Sequence, residues 1–120
     1  MLILYTAVSC PKCPQARKVV REVAKELGWK EGKDFIEKLI DGKGLDIGEG
    51  KLEGQKYFFV KSAGEITPEK TPAAVIGDFF IEALTYQVAS TPSIVIGDEA
   101  VFIGKVPKKE ELLQAIKERI

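Results

Sequence analysis

The stretch that decides the fold runs from Leu2 to Pro14 and reads LILYTAVSCPKCP. It opens with an apolar run and closes on a Cys-x-x-Cys pair, and the segment after it has strong helical periodicity. The pair consists of Cys10 and Cys13, the two cysteines of the chain. A strand that delivers two such cysteines to the first turn of a helix is typical of redox chemistry first and of metal binding second.

Residues 2–8 lack a regular alternation of apolar and polar side chains, which predicts a central strand covered on both faces. After the cysteines, apolar side chains recur at the spacing of an amphipathic helix, and Gly28 supplies a C-terminal cap. The apolar stripe comprises Ala16, Val19, Val20, Val23, Ala24 and Leu27. The opposite, charged face comprises Arg17, Lys18, Arg21, Glu22, Lys25 and Glu26.

The segment from Phe35 to Ile40 predicts a second strand, and the charges of Glu37 and Lys38 within it suggest an edge position. Strand, helix and strand in this order predict a right-handed unit with parallel strands.

The next segment, residues 41–54, is rich in glycine and charge and predicts a long loop. Neither a Gly-Lys-Ser/Thr ending nor a G-x-G-x-x-G pattern follows a strand there, so its glycines do not indicate a phosphate site. Residues 56–61 are rich in residues that favour strands and predict an added edge strand or a hairpin.

Two Thr-Pro pairs, at residues 67–68 and 71–72, each have the form of a helix start. One of them is expected to begin a helix through residues 73–76, and a helical stripe continues from Phe79 to about Tyr86. The pattern does not decide between one helix and two.

The carboxyl-terminal part predicts a hairpin followed by a helix. Residues 93–96 and 100–103 are short β-branched runs around Gly97, which is typical of antiparallel neighbours. Pro107 suits the first turn of the last helix. Its buried stripe comprises Leu112, Leu113, Ile116 and Ile120.

Composition indicates a single domain spanning residues 1–120, with 45% apolar residues and equal numbers, 18 each, of basic and acidic residues. Such a balance gives no long-range attraction to nucleic acid or to an anionic membrane. No apolar run is long enough to span a bilayer, and the first residues lack the basic segment of a secretory signal, so we expect a cytoplasmic location. The absence of His and Asn, with 30% charged residues, fits a thermophile.

The predicted order is β-α-β, an irregular segment, then α-β-β-α, with the cysteines at the first β-to-α junction. With Thr91-Pro92 before the third predicted strand, this order resembles the thioredoxin/glutaredoxin superfamily. The resemblance covers residues 1–40 and 78–120. It implies a thioredoxin-like α/β fold, in which helices flank a central four-stranded mixed sheet, with an insertion at about residues 41–77 after the second strand.

The same resemblance implies a thiol–disulfide oxidoreductase acting on protein disulfides. Cys10 would attack the substrate disulfide, and Cys13 would then resolve the mixed disulfide. A helix N-terminus stabilises an anion just outside it, and the charge of Lys12 acts in the same direction. Pro11 would stiffen the loop. No cofactor beyond the redox-active disulfide is implied, and the expected protein is a monomer recharged by an unidentified reductase.

In this superfamily the proline before the third strand is cis, and we therefore expect a cis bond between Thr91 and Pro92. The bend would expose the main chain of Thr91 to pair with an extended substrate. Pro11, Lys12, Thr91 and Pro92 are accordingly the predicted substrate-binding residues.

The sequence departs from both branches of the superfamily. Thioredoxins commonly carry Trp before the first cysteine and a buried Asp in the first strand, where this chain has Ser9 and apolar residues such as Leu4. The glutaredoxin Gly-Gly-acid pattern that grips glutathione is replaced by the stretch Ile103 to Lys108. This argues against dependence on glutathione.

Two alternatives stay open. A metal or iron–sulfur module needs four soft ligands, so two chains would have to pool their cysteines. An adaptor domain with incidental cysteines is the other alternative. Because loops on a scaffold often set specificity, we expect residues 41–77 to narrow the choice of substrate.

Overall fold

The computed structural model describes residues 2–8, 10–52, 54–88 and 90–119, and for Lys43 and Phe80 the backbone alone. Ser9, which precedes Cys10, lies outside the described residues. Ile120, which was predicted to belong to the buried stripe of the last helix, also lies outside them. The α-helices of the described part are α1 (Cys13–Leu27), α2 (Phe80–Thr85) and α3 (Lys109–Arg119), and short 3-10 helices span Gly42–Gly44 and Ala63–Glu65. The strands are β1 (Leu2–Thr6), β2 (Phe35–Leu39), β3 (Gly48–Leu52), β4 (Gln55–Val60), β5 (Ala73–Ile76), β6 (Ser93–Ile96) and β7 (Glu99–Ile103).

The strands form one mixed sheet in the order β3-β4-β5-β2-β1-β6-β7. Strands β4, β5, β2 and β1 are parallel, whereas the β3–β4, β1–β6 and β6–β7 pairs are antiparallel. The expected α/β class with a mixed sheet and flanking helices is confirmed, as is the hairpin of β6 and β7.

Successive side chains of β1 point to opposite faces of the sheet, which places a core on each side. Leu2 and Leu4 pack with the apolar faces of α1 and α3, and Tyr5 packs with Ala83 and Val88 on the α2 side. Strand β1 is therefore central and covered on both faces, as its apolar sequence predicted.

The expected four-stranded sheet is wrong, because residues 41–77 contribute β3, β4 and β5 as well as loops. The predicted long loop is interrupted by a short 3-10 helix, Gly42–Gly44, and by β3. Strand β3 forms a hairpin with β4, and the ring of Phe59 covers the space where Gly50 has no side chain. The hairpin predicted for residues 56–61 is thus confirmed, and the strand that pairs with β4 is β3, which lies in the predicted loop.

The helix expected through residues 73–76 is also wrong, since this segment is strand β5. All four of its residues are buried, and it lies between β2 and β4. A short apolar run buried on both faces has no periodicity that separates helix from strand. The Thr71–Pro72 bond before it is cis. One short helix, α2, follows after Asp78.

Strand β2 is not an edge, because it lies between β1 and β5. The charged side chains of β2 form hydrogen bonds with buried or half-buried residues and are not directed into solvent. The ammonium of Lys38 donates to Glu82 of α2 at 2.8 Å, and the hydroxyl of Tyr5 donates to the same carboxylate at 2.5 Å. Burial, with this hydrogen bond to Glu82, raises the pKa of Tyr5.

The turn between α1 and β2 yields a test of the contact between this turn and residues 61–72. Gly32 has φ +91°, and a Cβ there would lie 2.7 Å from the Cβ of Ile66. Gly32→Ala should therefore lower the free energy of unfolding by about 1–3 kcal/mol. Urea denaturation checks this, with Gly54→Ala as the matched control because Gly54 has a similar φ of +82° and a Cβ there meets open space. Equal stability of the two variants would contradict the packing described.

Candidate active site

Cys10 and Cys13 are joined in a disulfide at the start of α1, with their Cα atoms 5.3 Å apart. The N–H of Cys13 donates to the carbonyl of Cys10 at 3.3 Å, which closes the turn. Cys10 is 7% exposed and Cys13 is 0% exposed. Cys10 is therefore the more accessible of the two cysteines.

The N-terminus of α1 favours an anion beside it. Lys12 is the N-cap residue, its first turn contains no acidic side chain, and no side-chain hydrogen bond caps it. The positive end of the helix is thus not neutralised locally, and a thiolate at Cys10 would benefit from it. Pro11 and Lys12 are both exposed, so they border the disulfide on the side open to a partner.

Thr91 and Pro92 lie at the same end of the sheet as the disulfide. Ser93 pairs with Tyr5, so continuing the antiparallel register places Pro92 beside Thr6 and Thr91 beside Ala7. The Thr91–Pro92 bond is cis, as the resemblance implied, and Pro92 is buried. The N–H of Gly104 donates to the carbonyl of Pro92 at 2.8 Å and so ties this turn to the end of β7.

A buried carboxylate lies beneath the redox loop, where the sequence indicated none. Glu37 of β2 is 0% exposed. Its Oε2 accepts hydrogen bonds from the hydroxyl of Thr6 at 2.7 Å and from Nε of Arg17 at 2.6 Å. Its Oε1 accepts from Nη1 of Arg21 at 3.1 Å and from the hydroxyl of Tyr57 at 3.2 Å. The carboxylate thereby joins β1, β2, β4 and α1.

A second carboxylate extends this network toward β5. Glu31 accepts from Nη2 of Arg21 at 2.8 Å and from the N–H of Ala73 at 2.9 Å. Burial acts to lower the pKa of Arg21, but the charges of Glu37 and Glu31 outweigh it and hold that pKa above its ordinary value. Burial, reinforced by the charge of Glu37, raises the pKa of Tyr57.

The prediction that Arg17 lies on the exposed face of α1 is wrong, because Arg17 is 5% exposed. The sequence contained an indication that Arg17 is buried. Arg17 follows Cys13 by four residues, so both lie on one face of the helix. Glu37 carried a signal too, as a charge within an apolar strand. Each was assigned to solvent because its partner is distant in sequence.

Neither a cluster of metal-ligating side chains nor a membrane-spanning helix occurs among the described residues. Within residues 2–8, 10–52, 54–88 and 90–119, no group of three or more Cys, Asp or Glu side chains could hold a metal ion. No helix among them is both long and apolar enough to cross a bilayer.

Comparison with known proteins adds family evidence to this geometry. A family model described as "Thioredoxin domain" matches residues 68–117. A curated protein of Methanocaldococcus jannaschii named "Thioredoxin" is 31% identical over 117 residues, which cover 98% of this chain and 92% of that protein. No solved structure matches this chain.

The network beneath the redox loop predicts how stability depends on alkaline pH. Because the pKa of Tyr57 is raised on folding, the stability that this group contributes is complete below its unfolded pKa, about 10. It is lost as the pH rises from there through the folded pKa. Tyr57→Phe should cost about 1–2 kcal/mol at neutral pH and should lose less stability than the wild type above pH ~10.

Urea midpoints measured between neutral pH and pH ~11 check this prediction. Tyr86→Phe is the control, since the described part of the chain shows no hydrogen bond to that hydroxyl. Parallel loss of stability in the wild type and Tyr57→Phe would contradict burial of the Tyr57 hydroxyl in the network.

Proposed function

Because the chain belongs to the thioredoxin family and is a thiol–disulfide oxidoreductase, we propose that it reduces disulfides of other proteins through a mixed disulfide at Cys10. The observation that carries this proposal is the Cys10–Cys13 disulfide at the uncapped N-terminus of α1, with Cys10 the more exposed sulfur.

The proposed reaction has two exchange steps. The thiolate of Cys10 attacks one sulfur of the substrate disulfide, a Cys10–substrate S–S bond forms, and the second substrate sulfur leaves as a thiolate that takes up a proton. The thiolate of Cys13 then attacks Cys10, the Cys10–Cys13 bond forms, and the first substrate sulfur leaves. Two electrons pass from the dithiol to the substrate, and a separate reductase returns them.

Thr91 is proposed as the main-chain docking point for the substrate. Within the part of the chain that the structure describes, neither its N–H nor its C=O forms a hydrogen bond. Pro92 holds this residue at the end of the sheet beside the redox loop. An extended segment flanking the substrate disulfide can pair with these free groups as a short added strand. Pro11 and Lys12 would contact the same segment.

The surface that residues 41–77 form together with α1 is proposed to select among protein substrates. A cavity of about 480 Å³ lies between α1 and the β3–β4 hairpin, and its lining runs from Pro14, next to Cys13, to Gln55. Lys18 and Lys25 are exposed at its border. Since opposite charges steer association, we expect this surface to favour acidic segments near the substrate disulfide.

Charge reversal tests this selection better than deletion of residues 41–77, because that deletion would remove β5 from the interior of the sheet. Lys18→Glu combined with Lys25→Glu should lower the rate with acidic protein disulfides about threefold or more and leave a small neutral disulfide unaffected. Lys70→Glu combined with Lys117→Glu is the control of equal charge change. Equal loss with both kinds of substrate, or with both double variants, would count against the proposal.

We further propose that the protein acts as a cytoplasmic monomer, without a metal or organic cofactor. Nucleic acid and membranes are not among its proposed partners. Metal analysis of protein purified without oxygen separates this proposal from a cysteine-pooling dimer, which would hold about one metal per two chains.

Substitution of each cysteine tests the mechanism. Cys10→Ser should abolish reduction of a protein disulfide, since the attacking sulfur is gone. Cys13→Ser should attack once and then remain covalently joined to its substrate. Nonreducing electrophoresis and mass spectrometry detect that adduct. Retained activity in Cys10→Ser would contradict the assignment. Absence of a Cys10 adduct in Cys13→Ser would contradict it as well.

A further inference from the structure

A single peptide group before the redox pair is held on both sides by charged side chains. The carbonyl of Ala7 accepts a hydrogen bond from Nη2 of Arg17 at 3.4 Å, and the N–H of Val8 donates to Oδ1 of Asp41 at 2.9 Å. Both groups belong to the peptide between Ala7 and Val8, only two residues before Cys10. The approach of the chain to the attacking sulfur is therefore fixed from α1 and from the loop after β2.

Arg17 lies close in the fold to the redox pair. It lies one helical turn beyond Cys13 on the same face of α1, and both side chains are buried. Its Nε donates to the Glu37 oxygen that also accepts from Thr6, the last residue of β1. One carboxylate oxygen thus links the strand that leads into the redox loop to the helix that leaves it.

Arg21 provides an internal comparison. It lies one further turn along α1, is also held by Glu37, and has an additional partner in Glu31. Its contact with the backbone is at Ala73 of β5, far in sequence from the redox loop. The two arginines share a helix, a carboxylate partner and a largely buried position, and they differ in whether they contact the redox loop.

We propose that Arg17, held by Glu37, is a positioning residue for the Cys10–Cys13 pair. It orients the redox loop through the carbonyl of Ala7 and adds positive charge on the inner face of α1 beside Cys13. This role rests on the proposed attack by Cys10. An attacking group displaced by about 1 Å can lose up to 10²-fold in rate, and a nearby cation favours the thiolate that attacks.

The arrangement predicts three measurable changes in Arg17→Met. The second-order rate of reduction of a small neutral disulfide should fall about tenfold. The pH midpoint for alkylation of Cys10 should rise by about one unit, because a cation that favours the thiolate is gone. The Cys10–Cys13 disulfide should resist reduction by glutathione about tenfold more, because its reduced form is less stabilised.

Arg21→Met is the matched control. It removes an arginine from the same network and should lower the urea midpoint by a similar amount. Its reduction rate, alkylation midpoint and glutathione equilibrium should stay within about twofold of the wild type, because Arg21 has no hydrogen bond to the described residues of the redox loop. A merely structural role for Arg17 would give the two variants the same profile.

Arg17→Lys keeps the inference testable if Arg17→Met does not fold. Lysine keeps the charge but lacks the fork that reaches Glu37 and Ala7 together. The alkylation midpoint should return toward the wild type while the reduction rate stays several-fold low. Wild-type behaviour of both Arg17 variants, or identical changes in Arg17→Met and Arg21→Met, would overturn the inference.

The failure of this inference is distinguishable from failure of the proposed function. If Cys10→Ser retained activity, the role of Cys10 itself would be wrong. If Cys10→Ser were inactive and the Arg17 variants were as fast as the wild type, the proposed function would stand and the positioning role would fall.

Discussion

The rest of the structure depends on the compensation of one buried charge, the carboxylate of Glu37. Taking such a charge out of water costs several kcal/mol unless oppositely charged and hydrogen-bonding partners surround it. Here the partners come from elements far apart in sequence, Arg17 and Arg21 on α1, Thr6 on β1 and Tyr57 on β4. These elements must assemble together, since loss of any one leaves polar groups buried without partners.

This dependence changes the meaning of residues 41–77. Relative to the smallest members of the superfamily they look like an addition, yet they supply a donor to the central carboxylate through Tyr57 and an internal strand through β5. The redox loop and the added strands therefore share one polar network. The cavity proposed to select partners borders this network, because Tyr57 lines it as well as donating to Glu37.

Local patterns in the sequence predicted the elements that are themselves local. Helix α1 has a complete amphipathic stripe and ends at Gly28, and β1, the β6–β7 hairpin and the position of the Cys pair follow from equally local signals. Strand β5 was missed because four buried apolar residues fit helix and strand alike. Arg17 and Glu37 were assigned to solvent because a charge is normally exposed unless paired, and their pairing spans twenty residues. A single sequence does not show which charged residues pair when they are far apart along the chain.

The enclosure of Cys13 has a consequence for the order of events. With 0% of its surface exposed, this sulfur meets no external thiol or disulfide. In the proposed mechanism each encounter with a partner therefore begins and ends at Cys10, and Cys13 acts only on the bond that Cys10 has already made. The same burial shields the sulfur of Cys13 from dissolved oxidants, to which Cys10 is the more accessible of the two.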